Sequence, residues 1–344
     1  MTEESPTLEE WRPLYTAVNQ IKKLAPWEWM DEDDLFGVQD PETGKLGFVS
    51  VMGGLGEHYS IGVYLGAEGL YRFWEMQEQG PFIEPEFLLN TPQLQASFEN
   101  RNDLSKKDRD VIKALKLKYR GRQAWPQFQS YAPGLAPWYL TAAETQFLGH
   151  ILEQTLDVAP RFEDNPELLE VDDELKYLIR VPHQEKGKLV WRDEIRPILP
   201  PSPKEYRLPM DPQAMAHLDD LPQTTAILDV DFFWMPTPVK DEEERPYFPY
   251  NFLIMEASSG MILGTDMMIA NPSADEMWSS LPMKLVQTLA RINIKPKTIR
   301  VVSPPLASFL EPLTERYEME LQLVDDLPNL ENMKASLMDF MEHS

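Results

Sequence analysis

Cysteine is absent from the chain, and with it go disulfide frameworks, thiolate metal sites and a cysteine nucleophile. Such a composition suits a reducing cytosol. No stretch approaches the ~20 consecutive apolar residues that span a bilayer, so no membrane association is expected. The opening Met-Thr-Glu-Glu-Ser-Pro has neither the basic start nor the apolar run of a secretory signal, and the expected location is cytoplasmic. Histidine is scarce, five residues in all. No Gly-x-Ser-x-Gly elbow occurs either, which leaves Ser/His hydrolysis without its parts. Positive charge is in short supply: 32 basic residues face 57 acidic ones, a net charge of −25. A field of that sign favours solubility and opposes a polyanion unless cations cluster locally.

What is present is enough to fold. Hydrophobic residues make up 42% of the chain and aromatic ones 10%, which argues against disorder. At 344 residues two domains are expected. Thr7 and Glu10 have capping-box spacing, and Trp11, Leu14, Val18 and Ile21 form an apolar stripe behind them, so a helix runs to Leu24, before Pro26. Strands follow at Leu35–Gln39, Leu46–Met52 and Tyr59–Leu65, then a helix from Ala67 to Gln79 and a strand over 95–100. This is an α+β pattern, an antiparallel meander packed on helices. Gly53-Gly-Leu-Gly56 lies between two strands. A phosphate loop opens into a helix, so these glycines read as a turn.

Between Arg101 and Arg122 the charge trend reverses, with nine basic residues against three acids. Lys113, Lys116, Lys118, Arg120 and Arg122 carry most of it, and Trp125 and Trp138 follow closely. Cations beside aromatic platforms are the footprint of single-stranded nucleic-acid binding. The run reads first as a solvated helix face whose lysines pair with the acidic remainder of the chain, or as a surface for a protein or peptide partner. Trp125-Pro-Gln-Phe128 and Pro133-Gly-Leu-Ala-Pro-Trp138 read as a proline-fixed loop, and Thr141 caps a helix to Val158. His150 and Glu153 share a face of that helix, with no third metal ligand nearby in the sequence.

The hairpin Phe36-Gly-Val-Gln-Asp40, with Trp125-Pro-x-Phe128, Pro133-Gly-x-x-Pro-Trp138 and Glu144, resembles a group of bacterial two-domain proteins of unknown function. The shared motifs are aromatic and structural, so the resemblance implies an architecture and no activity.

Strands at Tyr177–Val181 and Leu189–Asp193 complete the first domain, residues 1–196. Prolines crowd 197–222, which reads as an extended linker. From 223 to 344 the signals run βββ-α-β-α-β-α, beginning with Thr225-Ala-Ile-Leu-Asp-Val-Asp-Phe-Phe-Trp234. In topology this domain resembles the ribonuclease H and integrase fold, a mixed five-stranded sheet with helices. That resemblance implies a two-metal centre for phosphodiester hydrolysis, with Mg²⁺ or Mn²⁺ held by clustered carboxylates. Asp229 and Asp231, two apart on a strand, project to one face. Glu276 and Glu331 are the further candidate ligands. The sequence departs from the integrase pattern at the fourth strand, where Ser303-Pro-Pro stands in place of an aspartate. The expected function is therefore a non-catalytic cytosolic binding or scaffold protein with a degenerate ribonuclease-H-like domain. The alternative is a Mg²⁺- or Mn²⁺-dependent nuclease using the first-strand aspartates, which otherwise read as salt-bridged or solvated acids.

Overall fold

The computed structural model describes residues 4–80, 83–173, 175–202, 210–240, 245–271 and 273–342. It divides into two units, Met1–Ala132 with Pro137–Ser202, and Pro133–Ala136 with Pro203–Ser344. Both are α+β, one on a seven-stranded and the other on a five-stranded mixed sheet.

In the first unit the elements are α1 (Leu8–Leu24), β1 (Phe36–Gln39), β2 (Leu46–Met52), β3 (Ser60–Leu65), α2 (Gly66–Gln79), α3 (Pro85–Leu89), β4 (Gln93–Glu99), α4 (Lys106–Ala114), β5 (Trp125–Tyr131), α5 (Ala142–Asp164), β6 (Lys176–Glu185) and β7 (Lys188–Pro197). Sheet order is β5-β4-β3-β2-β1-β6-β7. The expected meander is there, from β1 to β4, and β5 extends it at the edge. The β6–β7 hairpin then joins beside β1, with β1 and β6 parallel. Long helix α5 makes the crossover that parallel pairing requires. Thr7 caps α1 through a complete capping box, and so does Thr141 for α5. Trp11, Leu14, Val18 and Ile21 of α1 pack with Phe147, Leu148, Ile151 and Leu152 of α5 over Val49, Val51, Ile61 and Val63.

Two local expectations are corrected. Trp125-Pro-Gln-Phe128 is strand, not loop. Proline lacks a ladder donor, and β5 is an edge strand, where that loss is tolerated. Helix α5 does not stop at Val158 but continues through Pro160 to Asp164, extending a buried face with Ala159 and Phe162.

The second unit contains α6 (Pro212–Asp220), β8 (Ile227–Trp234), β9 (Tyr250–Glu256), β10 (Ile262–Met268), α7 (Ala274–Ile292), β11 (Thr298–Val301), α8 (Pro304–Arg316), β12 (Glu320–Leu323) and α9 (Pro328–Glu342). Sheet order is β10-β9-β8-β11-β12; β8, β11 and β12 run parallel and β9 and β10 antiparallel to their neighbours. Helix α6 replaces part of the expected linker. Asp211 caps it, Pro212 sits at its first turn where no amide donor is needed, and Met215 and Leu218 are buried in the unit's core. Residues 203–209 of the linker, and 241–244 of the charged loop after β8, lie outside the described residues.

Strand period two divides β8 cleanly. Leu228, Val230 and Phe232 enter the core made with α7 and α8. Asp229, Asp231 and Phe233 point to the opposite face, where Leu253 and Met255 of β9 meet Leu327, Leu330 and Met333.

Candidate functional site

Asp229 and Asp231 are both buried, so each charge needs a partner within the fold. Asp229 is bonded by both arms of Arg300, Nε to Oδ1 at 2.7 Å and a terminal nitrogen to Oδ2 at 2.9 Å. Arg300 stands directly opposite Asp229 in the β8–β11 register. This bidentate contact raises the guanidinium pKa, and the nearby Asp326 adds to it. Asp231 pairs with Lys334 of α9 and also accepts the backbone N–H of Phe232 at 2.8 Å. The Lys334 ammonium lies 4.7 Å from the centre of the Phe233 ring. Glu276 and Glu331 sit in the first turns of α7 and α9 with exposed side chains. Among the described residues no three His, Cys, Asp or Glu side chains are grouped to hold a metal ion. His150 and Glu153 form a pair 3.7 Å apart, with no third ligand grouped with them among the described residues.

The basic segment is divided in role. Lys113, Lys116, Lys118, Arg120 and Arg122 are exposed and enter no ion pair among the described residues. Their aromatic neighbours are committed elsewhere. Trp125 packs on Tyr119 and lies under Arg101, while Trp138 packs edge-on to Tyr139 and closes a backbone bridge with Ser130. Lys118 and Arg120 join Lys22 and Lys23 around a shallow depression with no acid among the described residues of its lining. The surface is cationic, but not an array of free stacking platforms.

The first unit has a larger concavity, about 880 Å³, which is in the range of ligand pockets. Its floor is aromatic. Helix α2 buries Leu70, Phe73 and Met76 inward, which turns Tyr71, Trp74, Glu75 and Glu78, at helical spacings, toward the groove. Trp29, Phe162 and Tyr177 complete that floor. The polar atoms of the floor are internally satisfied: Trp29 Nε1 donates to the Ala159 carbonyl at 3.0 Å and Trp74 Nε1 to the Tyr177 hydroxyl at 2.8 Å. What these indoles have left to offer is ring carbon.

The rim is acidic. Asp31, Asp33 and Asp34 come from the loop before β1, and Glu75 and Glu78 from α2. Glu163, Glu170 and Asp173 come from the end of α5 and the chain beyond it. Among the described residues the one lining cation, Lys176, is paired with Asp173 at 3.2 Å. Burial pushes the Asp34 carboxyl above its ordinary range, the charges of Asp33 and Asp31 push the same way, and the Asp31 N–H donating to it opposes them.

Comparison with known families follows this division of the chain. Residues 11–180 match a family model described as a domain of unknown function, DUF7309, and residues 214–338 match a second, DUF6930. The two matches follow one another along the chain. A search of curated proteins finds no match. The whole aromatic groove lies within the DUF7309 match. Asp229, Asp231, Arg300 and Lys334 lie within the DUF6930 match. Among the described residues no helix is long and apolar enough to cross a membrane.

Sequence reasoning missed both cations of the DUF6930 domain. One was legible: Arg300 alternates with Ile299 and Val301 along β11, so it shares the acids' face once the strands are aligned. The groove of the DUF7309 domain had weaker signals, the run Asp31-Glu-Asp-Asp34 beside two tryptophans and the acidic shift after Asp164. Nothing local says that these two stretches meet.

Proposed function

We propose that this chain is a non-catalytic cytoplasmic binding protein whose second domain has ribonuclease-H-like architecture without its metal chemistry. The strand order β10-β9-β8-β11-β12, a meander followed by two parallel crossovers, supports that architecture. One observation carries the functional reading: each β8 carboxylate where metal ligands are expected is neutralised by a cation of the same chain, Asp229 by Arg300 and Asp231 by Lys334. Two-metal hydrolysis needs carboxylates free to bind ions. A metal entering here would have to displace a bonded guanidinium and an ammonium and leave both cations unpartnered.

In this reading the chain has two domains, expected at 1–196 and 223–344 with a connector over 197–222, and the burial of Met215 and Leu218 in the second core supports an earlier start for the second domain, at α6. The contact surface is Lys113, Lys116, Lys118, Arg120 and Arg122, facing an acidic protein or peptide, with nucleic acid as the competing ligand. The commitment of Trp125 and Trp138 to packing within the fold favours the former, because single-stranded nucleic acid needs free stacking faces.

Incubation with labelled DNA and RNA plus Mg²⁺ or Mn²⁺ tests the catalytic side. No cleavage and no Mn²⁺-dependent thermal shift are expected. Metal-dependent cleavage that disappears in Asp229→Asn would instead establish the nuclease, with Asp229, Asp231, Glu276 and Glu331 as its ligands. For the surface, the Lys113→Glu/Lys116→Glu/Lys118→Glu variant should lose binding to labelled polyglutamate. A labelled single-stranded oligonucleotide bound more tightly than polyglutamate would shift the partner to nucleic acid, and unchanged binding of both would remove the surface.

A further inference from the structure

The DUF7309 groove holds a surplus of one charge around an apolar centre, and nothing in the reading above uses it. Seven of its carboxylates, on Asp31, Asp33, Asp34, Glu75, Glu78, Glu163 and Glu170, have no ion pair among the described residues. Like charges gathered around a low-dielectric floor repel one another, and a cationic ligand relieves that repulsion. A metal ion is the wrong cation, since among the described residues no three of these groups converge on one point and hard ions need convergent oxygens. A compact organic cation also fits poorly, because the acids come from separate segments of the chain, no three of them grouped, and one charge would meet only a few of them.

We propose that this groove binds a short basic segment of a partner polypeptide, its arginine or lysine side chains against the carboxylate rim and its apolar side chains on the floor of Trp29, Tyr71, Trp74, Phe162 and Tyr177. The chemistry is complementary at both levels. Guanidinium groups bond carboxylates in bidentate fashion and stack on aromatic faces, and the indoles here have only faces and edges free. Alternating cationic and apolar side chains on an extended peptide present the two kinds of surface on opposite sides, one for the rim and one for the floor. The net charge of the whole chain steers such a ligand inward. The burial-raised Asp34 carboxyl has most to gain from a neighbouring cation.

The test is fluorescence anisotropy on the full chain with a fluorescein-labelled hexapeptide of alternating arginine and leucine. Comparison peptides replace arginine by glutamate, or leucine by serine, and spermidine serves as a free polycation. The arginine–leucine peptide should bind with a strong salt dependence, and the glutamate peptide should not bind. Glu75→Lys/Glu78→Lys, both exposed and therefore compatible with folding, should weaken binding on the order of tenfold or more. Trp74→Leu should weaken the leucine-containing peptide but not spermidine. Lys113→Glu/Lys118→Glu, on the other surface, should leave the peptide affinity undiminished, which separates this proposal from the one above. Equal binding by wild type and Glu75→Lys/Glu78→Lys would overturn the proposal. So would arginine–serine peptide or spermidine binding as tightly as the arginine–leucine peptide, since the aromatic floor would then contribute nothing.

Discussion

Replacing Arg300 by methionine leaves the Asp229 carboxylate with no counter-charge on a sheet face where its side chain is 1% exposed. Two hydrogen bonds of 2.7 and 2.9 Å disappear with the guanidinium. Loss of one partner from a buried pair costs about 3–5 kcal/mol, chiefly because the survivor stays desolvated. Arg300 is itself 30% exposed, so water reaches the site partway and the lower figure, about 3 kcal/mol, applies. The reverse change, Asp229→Asn, leaves a cation that can turn to solvent, and should cost only about 1–2 kcal/mol. Removing both charges with Asp229→Leu/Arg300→Met puts two apolar side chains beside Met255 and should recover most of the loss. For a domain of this size the single Arg300→Met change lowers the melting temperature by about 10 °C. Because the chain has two domains, the readout is urea-dependent hydrogen exchange of peptides from β8 and β11, which follows the second unit alone. If Arg300→Met and Asp229→Asn cost the same within about 0.5 kcal/mol, or the double variant is no more stable than Arg300→Met, the argument from asymmetric burial is refuted.

Lys334→Met exposes the same logic at Asp231, whose side chain is 3% exposed against 23% for the lysine, and should cost about 2–3 kcal/mol by urea unfolding, with hydrogen exchange accelerated in α9. Gly134 has φ of +77°, and an added Cβ would lie 2.2 Å from that of Ala270, so Gly134→Ala should destabilise the second unit by about 2 kcal/mol or more in the same assay. Glu256 is held at about 2 by the Ser259 hydroxyl and N–H and by Ser258. Its folded value lies below the unfolded one, so the turn it anchors is fully stabilised above the ordinary glutamate range. That stabilisation is lost as pH falls from about 4.3 toward about 2. Ser259→Ala should bring the carboxyl back up, as read by NMR titration of the Glu256 side chain.

The parts of the fold that were legible in the sequence are those decided locally. Thr7 with Glu10 and Thr141 with Glu144 name their helix starts because the cap is made within three residues. The alternation from Ile227 to Trp234 names a strand and its two faces. Expectations failed where a partner far along the chain decides. Pro126 forbids a central strand but is acceptable in β5, because that strand lies at the edge of the sheet. Pro212 suggested an extended connector, yet Met215 and Leu218 find a core to enter and the proline serves as a helix start. Glu144 stood out both as the far half of that capping box and by resemblance, and its place is structural: it accepts from the Ser130 hydroxyl at 2.6 Å and from the Thr141 N–H at 2.8 Å. As for the sites, the two aspartates were visible as a pair on one face, but their neutralisation by Arg300 and Lys334 depended on strand register and on where α9 lies. The groove depended on parallel pairing of β1 with β6, which brings the stretch before Phe36 next to the stretch before Tyr177.

The strip Pro133–Ala136 is counted with the second unit although the chain on either side of it belongs to the first. It is stitched in by backbone: Ala136 N–H to the Pro246 carbonyl at 2.8 Å, Phe248 N–H to the Gly134 carbonyl at 2.9 Å, and a bridge from Leu135 to Tyr247. The C-terminal domain is thus not a contiguous piece of polypeptide. A fragment started after the proline-rich segment would leave the backbone groups of Pro246 and Phe248 without these mates, an open border of the kind that invites aggregation. Supplying the four missing residues through a short fused tether, rather than trimming further, is the way to obtain that half in isolation.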